Sequence, residues 1–497
     1  MPTESPLPLN LNPNLFTTIP AMTTKNSSNP PRDGLSRRKF IFLSSMVAGS
    51  VMARAVPRTL SANDKLNIGI IGYGGQGNGD AGSCSTENII ALCDVDEKIN
   101  PQLRARFPDA KYYQDFRKMF DSEKTLDAVN IATPDHSHAF IAATAMKLGI
   151  NVYVQKPLAH SVFEARLLRK LAAETKVATQ MGNQGSAAKG LRRGVEVIQS
   201  GIIGQVHDVY VWSNRPIWPQ GLPMPEGEDP IPEGLDWDLW LGPAPLRKFK
   251  ANRTYHTFNW RGWVDFGTGA LGDMACHTCN LPFRALKLGY PSEIEAETLN
   301  FTKACYPSKS SIRFQFPARE GLDPVTFRWY DGGNPRPGGS HDGNNKPPAD
   351  VTAGLAAMGR EGREIPASGC LMVGTKGLIF SPDDYGTEFY LKLNDETEYS
   401  PGASHQGVAA IPQSIPRNTF QGEAHHQEWI AACKGGKPGF SNFDIAAYLT
   451  EIMLLGCVAI RAGKKLEWDG PNMTAKNAPE ASQFVHPEFR KGWEMPS

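Results

Sequence analysis

The sequence predicts an α/β protein in which a doubly wound parallel sheet is followed by a second α/β domain with an open, mostly antiparallel sheet. Two observations predict the first sheet. Short apolar runs alternate with helical segments from Lys65 to Val154, and a glycine-rich loop follows the first of these runs. Short alternating segments after residue 290 predict the second sheet.

The glycine loop is Gly72-Tyr73-Gly74-Gly75-Gln76-Gly77, and it directly follows the apolar run at 66–71. In G-x-G-x-x-G after a strand, the first glycine makes a tight turn and the second lets backbone approach a pyrophosphate. The third allows close packing of the helix on the strand. The loop therefore predicts a dinucleotide site on a Rossmann-type sheet.

Asp94 closes the next apolar run, 88–93, and lies 22 residues after Gly72. An acid at this spacing can accept hydrogen bonds from the adenosine ribose, and it would repel a 2′-phosphate. We therefore expect NAD as the cofactor, with NADP disfavoured. The alternative for Asp94 alone is a helix-capping residue.

The remaining pattern extends both sheets. Further parallel strands are predicted at 127–132, 150–154 and 178–182, with helices at 139–148, 161–175 and 189–200. After a strand at 206–213, a Pro- and Trp-rich stretch at 214–263 predicts a long irregular loop. Strands follow at 293–301, 311–316, 324–330, 370–373, 377–381 and 388–393, and helices at 423–434 and 443–462. The predicted organisation is a leader and linker at 1–62, a dinucleotide-binding domain at 63–185, a second domain at 186–465 and a tail at 466–497.

The composition excludes several classes of protein. The net charge of +1 gives no basic face for binding nucleic acid. Eight cysteines in 497 residues do not indicate a disulfide scaffold. Cys276 and Cys279 flank His277, but no second cluster with metal-ligand spacing accompanies them, so we predict no metal.

The N-terminal region carries an export pattern. Ser36-Arg37-Arg38-Lys39-Phe40 precedes an apolar run at 41–53, which is short for a membrane span. Ala53-Arg54-Ala55 is a cleavage candidate. This pattern predicts a twin-arginine signal, recognition by the export machinery and a location in the periplasm or cell envelope, with a membrane tether if the signal is not cleaved. A folded protein exported in this way would carry its cofactor with it.

Four segments together resemble the Gfo/Idh/MocA oxidoreductases, the group of glucose–fructose oxidoreductase and inositol dehydrogenase. They are the glycine loop, Thr133-Pro134-Asp135-His136-Ser137-His138, Gln155-Lys156-Pro157-Leu158, and the pair Asp273/His277. The resemblance covers roughly residues 64 to 465, and the leader and Trp-rich middle resemble the exported branch. It implies a Rossmann domain plus an α/β domain whose open sheet carries substrate contacts and often subunit contacts. We accordingly expect a homodimer or homotetramer.

The resemblance implies a catalytic role for Lys156, Asp273 and His277. The lysine would hydrogen-bond the reacting hydroxyl, and the histidine would take its proton. Asp273 and His277 are four residues apart, so on a helix they can touch, and the carboxylate would stabilise a charged imidazole. The alternatives from the residues alone are an exposed lysine and a helix-surface ion pair. Gln155 stands where the family usually has Glu.

Two sets of binding residues complete the predicted site. Substrate contacts are expected from the aromatic stretch at 255–265 and the catalytic histidine, because mixed aromatic and polar groups suit a sugar: Trp260, Arg261, Asp265 and His277. Cofactor contacts are expected from the glycine loop and the strand ends: Gly72, Gly74, Gly75, Gln76, Gly77, Asp94, Thr133, Pro134, His138, Gln155 and Lys156.

The predicted function is NAD-dependent hydride transfer at a hydroxyl of a sugar, sugar derivative or polyol, with a tightly bound and internally recycled NAD. Two alternatives stay open. One is redox-neutral glycoside cleavage or epimerisation through a transient keto-sugar, although a typical exported NAD-glycosidase branch lacks the lysine motif that Lys156 preserves. The other is a non-catalytic nucleotide-binding protein.

Overall fold

The computed structural model describes residues 61, 64–358, 364–419 and 423–496. Its first sheet is parallel and has six strands, in the order β3-β2-β1-β4-β5-β6. The predicted twin-arginine leader lies outside the described residues. The strands are β1 Asn67–Ile71, β2 Asn88–Cys93, β3 Lys111–Tyr113, β4 Ala128–Ile131, β5 Asn151–Val154 and β6 Thr179–Met181. The Rossmann-type sheet is therefore confirmed, although β3 was missed because its three residues carry no apolar run.

The helices of this half alternate with the strands, as the sequence predicted. They are α1 Gln76–Ser83, α2 Pro101–Arg106, α3 Phe116–Ser122, α4 Asp135–Lys147 and α5 Val162–Thr175. All four residues of β4 are buried, which is why a central parallel strand reads as a continuous apolar run. The strand order reverses at β1: β2 and β3 lie on one side of it, and β4, β5 and β6 lie on the other. Such a switch point opens a crevice at the carboxyl ends of the strands.

The second sheet has ten strands in the order β16-β15-β14-β13-β7-β10-β9-β8-β17-β18. These are β7 Val206–Trp212, β8 Glu293–Leu299, β9 Lys309–Phe316, β10 Val325–Gly332, β13 Gly369–Gly374, β14 Gly377–Ser381, β15 Tyr390–Leu393, β16 Ser400–Pro401, β17 Leu466–Asp469 and β18 Thr474–Ala475; β11 Pro335–Arg336 and β12 Ser340–His341 form a separate hairpin. Burial alternates along β9, as expected for a sheet with one covered face. The pairing is mostly antiparallel, as predicted, but β7 and β10 run parallel.

Eight more α-helices lie in the rest of the described chain. They are α6 Lys189–Gln199, α7 Trp237–Leu241, α8 Gly269–Thr278, α9 Asn280–Ala285, α10 Gln406–Ala409, α11 Ala424–Cys433, α12 Phe443–Ala462 and α13 Ser482–Val485. α12 is apolar and long enough to cross a membrane, but 83% of its apolar window is buried. Its first residues pack in the core of the parallel sheet and the rest in the core of the second sheet, so it is the helix that joins the two cores.

The Pro- and Trp-rich stretch is more ordered than the predicted irregular loop. It contains α7 and a 3₁₀ turn at Asn259–Gly262. Trp237 and Trp240 stack with ring centroids 4.6 Å apart, and Phe266 packs edge-on against Trp240. The aromatic side chains thus form a small core of their own, a tertiary effect that local sequence pattern does not indicate.

Candidate active site

The glycine loop adopts the geometry that its spacing predicts. Gly72 has a φ of +76°, and a Cβ there would lie 2.8 Å from the carbonyl carbon of Ala132. A Cβ on Gly77 would come within 1.9 Å of the Gly72 carbonyl oxygen, whereas a Cβ on Gly75 would meet nothing within 4 Å. The first and third glycines are therefore required by packing, and the second half of the loop leaves its backbone open to a phosphate group.

The Asp94 side chain lies beside this loop and is held by backbone amides. Its carboxylate accepts hydrogen bonds from the N–H groups of Tyr73, at 3.0 Å, and Asp96, at 3.1 Å. Burial outweighs these bonds and raises the pKa of Asp94 to about 7. Ribose hydroxyls that donate to this carboxylate would favour its ionised form, so the residue fits the ribose role predicted for it.

One cleft runs along the carboxyl ends of the parallel strands and gathers most of the predicted site. Its walls include ten of the predicted residues: Gly72, Gly74, Gly75, Gln76, Asp94, Thr133, Pro134, His138, Gln155 and Lys156. Trp260 and Arg261 line it from the aromatic stretch. The buried carboxylate and the open glycine backbone fit a dinucleotide.

His138 holds two walls of this cleft together. Its ring nitrogens lie 2.8 Å from the Pro157 carbonyl and 2.7 Å from the Thr133 carbonyl. Burial lowers the pKa of His138 to about 4, so the neutral ring donates one hydrogen bond. The residue lines the cleft as predicted, but its ring nitrogens face protein carbonyls.

Gln155 is bound to a carboxylate that sequence reasoning missed. Its side-chain amide donates to both oxygens of Asp80, at 2.8 and 3.1 Å, and Gln76 donates to the same group at 3.0 Å. Asp80 is fully buried on α1. The negative charge that the family usually carries at position 155 is thus present nearby, on a different element. The spacing Gln76/Asp80, one helical turn, is the only sequence signal for it.

Lys156 and Arg261 form an ion cluster around the buried carboxylate of Asp273, between the two halves of the molecule. The Lys156 ammonium lies 2.9 Å from the Asp273 carboxylate, and the Arg261 Nε lies 3.3 Å from the same oxygen. Burial alone would raise the pKa of Asp273, but the two cations outweigh it and hold the pKa at about 2. Lys156 is therefore not the exposed surface lysine that the sequence left open.

His277 differs from the expectation of a carboxylate partner. Asp273 uses its carboxylate on Lys156 and Arg261, and the buried His277 Nδ1 has no hydrogen-bond partner. Burial, assisted by the charge of Lys156, lowers the pKa of His277 to about 3. The predicted pair is wrong in this respect, because the lysine competes for the carboxylate. The imidazole is neutral.

A loop of the second sheet faces His277 and was also missed. The Tyr385 ring packs edge-on against the imidazole with centroids 4.9 Å apart, and Asp383 holds the loop by accepting from the Tyr385 and Thr387 amides. The neighbouring Asp384 has one buried carboxylate oxygen without a partner. No local pattern connects this loop to position 277, because only the tertiary fold brings them together.

Asp135 supports the start of α8, the helix that carries Asp273 and His277. One of its oxygens accepts from the Thr268 hydroxyl at 2.8 Å, and the other has no partner. Burial, and then the charge of Asp273, raise the pKa of Asp135 to about 7. The hydrogen bond links the first turn of α4, beside the cofactor cleft, to the helix that carries the other site residues.

Asp265 does not join this site. Its carboxylate is paired with the Arg247 guanidinium at 2.5 Å, and it lines a separate cavity with His136, His160 and Arg461. The aromatic stretch turns between Arg261 and Asp265, so the two side chains face different spaces. Among the described residues no cluster of His, Cys, Asp and Glu could hold a metal, and Cys276 and Cys279 are buried free thiols.

The fold and this cleft define a Rossmann-type dinucleotide-binding protein with a second α/β domain, and two family models agree. Residues 66–183 match the Gfo/Idh/MocA oxidoreductase family model of the NAD-binding Rossmann fold. Residues 197–288 match the C-terminal α/β domain model of the same family. Residues 66–183 and 197–288 are therefore similar to the NAD-binding and C-terminal domains of the Gfo/Idh/MocA oxidoreductases.

Curated relatives match over about a quarter of the chain. A levoglucosan dehydrogenase of Pseudarthrobacter phenanthrenivorans is 25% identical over 152 residues, 28% of this chain and 39% of the relative. An inositol 2-dehydrogenase of Salmonella typhimurium is 30% identical over 148 residues, 28% of this chain and 43% of the relative. The chain therefore aligns with less than half the length of these relatives.

Solved structures share the fold over most of the described chain. The WlbA dehydrogenase of Bordetella pertussis, in complex with NADH and UDP-GlcNAcA, superposes with a TM-score of 0.55 at 14% identity, covering 82% of this chain and 98% of that one. An inositol dehydrogenase homologue of Azotobacter vinelandii, with NADH and myo-inositol, gives 0.53 at 14% identity, covering 82% and 98%. These likenesses show that the chain shares the fold of these proteins.

Proposed function

We propose that the protein oxidises a hydroxyl group of a sugar, sugar derivative or polyol by NAD-dependent hydride transfer. The observation that carries the proposal is the Lys156–Asp273–Arg261 cluster beside a neutral His277. This cluster lies at the end of the cofactor cleft next to the carboxyl ends of strands β4 and β5. The relatives named for levoglucosan and inositol dehydrogenase support a polyhydroxylated substrate.

The residues divide the chemistry between them. The glycine loop and Asp94 hold the dinucleotide, which when bound supplies the hydride acceptor. We assign acceptance of the hydroxyl proton to His277, because its buried Nδ1 has no hydrogen-bond partner. The Lys156 ammonium donates to the same oxygen and stabilises its developing negative charge. Loss of the proton and the hydride converts the substrate into a ketone or lactone.

Asp273 orients Lys156 and does not need to touch the substrate. Its carboxylate neutralises one of the two cations, so the cluster of Lys156, Asp273 and Arg261 carries a net charge of about +1. A cluster with one uncompensated positive charge favours an oxyanion over a neutral alcohol.

We further propose that NAD stays bound through repeated turnovers and that the protein acts in the periplasm or cell envelope. The twin arginines at 37 and 38 support export, and the segment that contains α7 and the 3₁₀ turn supports retention, since Trp240, His256 and Phe258 line the cofactor cleft. A homodimer or homotetramer formed through the open sheet belongs to the same proposal.

The test uses the purified full chain in two steps. Mass spectrometry of the denatured protein identifies the bound nucleotide, for which we expect close to one NAD per chain. Incubation with a panel of polyols and aryl glycosides then separates the functions. A ketone or lactone with reduced NAD supports the dehydrogenase, whereas free aglycone without net NAD reduction supports the redox-neutral alternative. Absence of hydride exchange with every compound would identify a non-catalytic nucleotide-binding protein.

A further inference from the structure

The C-terminal segment 487–496 contributes a side chain to the cofactor cleft. Trp493 is 5% exposed and lines the same cleft as the glycine loop and Asp94. Its ring packs against Phe140, at a centroid distance of 5.1 Å, and Phe116, at 6.2 Å. Trp493 thus lines this part of the cleft although it lies more than 350 positions after Phe116 in the sequence.

Sheet order places Trp493 at the end of the cleft opposite to the proposed chemistry. Its neighbour Phe116 begins α3 just after β3, whereas Lys156 follows β5. In the order β3-β2-β1-β4-β5, these strands are four spacings apart, about 19 Å at ~4.8 Å per strand. Asp94 follows β2, next to β3. Trp493 therefore lies at the end where Asp94 would meet the adenosine ribose.

The apolar character of this end suits a purine. Val95, Phe116 and Ile141 line it together with Trp493, and aromatic rings bind bases by stacking with little dependence on hydrogen bonding. The Arg117 guanidinium lies 4.5 Å from the Trp493 ring and limits its movement away from the wall.

Arg490 fixes the segment to α7. Its Nε donates to the Gly242 carbonyl at 2.8 Å and one terminal nitrogen donates to the Asp238 carbonyl at 2.8 Å. Its other terminal nitrogen pairs with the Asp238 carboxylate, and its backbone N–H donates to Pro243. α7 itself contributes Leu239 and Trp240 to the cleft, so the two covering segments are held to each other.

We propose that segment 487–496 is a cofactor-binding element in which Trp493 closes the adenine pocket and slows the release of NAD. The inference rests on NAD binding by the first domain and not on the oxidation reaction. Because Arg490 joins the segment to α7, release of the nucleotide requires both to move away from the cleft.

The experiment compares NAD dissociation from the full chain and its variants Trp493→Ala, Trp493→Phe and Arg490→Ala, with the exposed Lys491→Ala as the matched control. A chase with excess nucleotide measures the dissociation rate. We expect an increase of about 10- to 100-fold for Trp493→Ala, the range for loss of one base–aromatic contact. Arg490→Ala should release NAD faster as well, Trp493→Phe should restore slow release, and Lys491→Ala should match the wild type.

Binding of half-cofactors locates the effect. Trp493→Ala should weaken AMP binding by about tenfold or more and leave nicotinamide mononucleotide binding unchanged. Equal weakening of both, or wild-type release of NAD from Trp493→Ala, would overturn the proposal. All readouts are binding measurements, so failure of the wild-type chain to oxidise any polyol would overturn the proposed function and leave this inference standing.

Discussion

The two ends of the cofactor cleft are built from different interactions. The Lys156 end is an ion cluster in which one buried carboxylate, Asp273, faces two cations at 2.9 and 3.3 Å. At the other end Asp94 is held by backbone amides, and the aromatic side chains Phe116 and Trp493 line the wall. One end concentrates charge in an ion cluster, and the other combines an amide-bound acid with apolar side chains.

This difference suggests that one end acts on the reacting groups and the other binds the nucleotide. Fixed charges in a water-poor site act on charge that develops during a reaction, and they are costly to bury for binding alone. Apolar walls hold a planar group without acting on a reacting bond. Substitutions at the Lys156 end should therefore change the rate of chemistry, and those at the Asp94 end should change nucleotide affinity and selectivity.

The largest expected effect is at Lys156. Lys156→Met keeps the length of the side chain and removes its charge, so we expect kcat to fall about 10²- to 10³-fold, as for loss of one donor to a developing oxyanion. NAD content should fall far less. Steady-state kinetics on a substrate found in the polyol panel, with nucleotide content measured alongside, make the comparison.

The matched control is Lys170→Met on α5, where the side chain is 69% exposed. We expect it to match the wild type in both measurements. Turnover of Lys156→Met within threefold of the wild type would mean that the cluster only joins the two halves of the molecule.

A smaller effect, on selectivity, is expected at Asp94. Asp94→Asn removes the charge that repels a 2′-phosphate and weakens the bonds to the ribose, so the ratio of NADP to NAD dissociation constants should fall about 10- to 100-fold. Titration at pH 8.5 ensures that the wild-type carboxyl, with a pKa of about 7, is ionised. The exposed Asp109→Asn serves as the control. An unchanged ratio would assign Asp94 to holding the glycine loop through the Tyr73 amide.

Local pattern predicted the parts of the site that depend on strand ends and glycine geometry. Gly72, Gly77 and Asp94 follow from continuous apolar runs and the steric demands of one turn. The two glycines make the close backbone approaches that this turn requires, and Asp94 lines the cleft. Lys156 was placed by its position directly after β5. Such features are local, because a parallel strand fixes where its next residue lies.

The features that the sequence did not predict depend on contacts between elements far apart in the chain. Asp273 and His277 have the right helical spacing, yet Lys156 takes the carboxylate because an ammonium attracts it more strongly than a neutral ring. Asp80, Tyr385 and Trp493 approach the site from elements far away in sequence, and no spacing connects them to it. Asp265 was misplaced for the same reason, since Arg247 draws it to another cavity.

The smallest expected effect concerns pH and sharpens the contrast between the two ends. Burial lowers the pKa of His277 to about 3, so the imidazole stays neutral from pH 5.5 to 8 and proton acceptance should not decline near the ordinary value of 6.5. Asp135, with a pKa of about 7, and Asp94 titrate in this range. We therefore use Asp135→Asn with saturating NAD, where kcat/KM for the substrate should vary less than twofold. An acid limb centred near 6.5 in this variant would mean that His277 is protonated in the working enzyme, and that the Lys156 end is less desolvated than its geometry indicates.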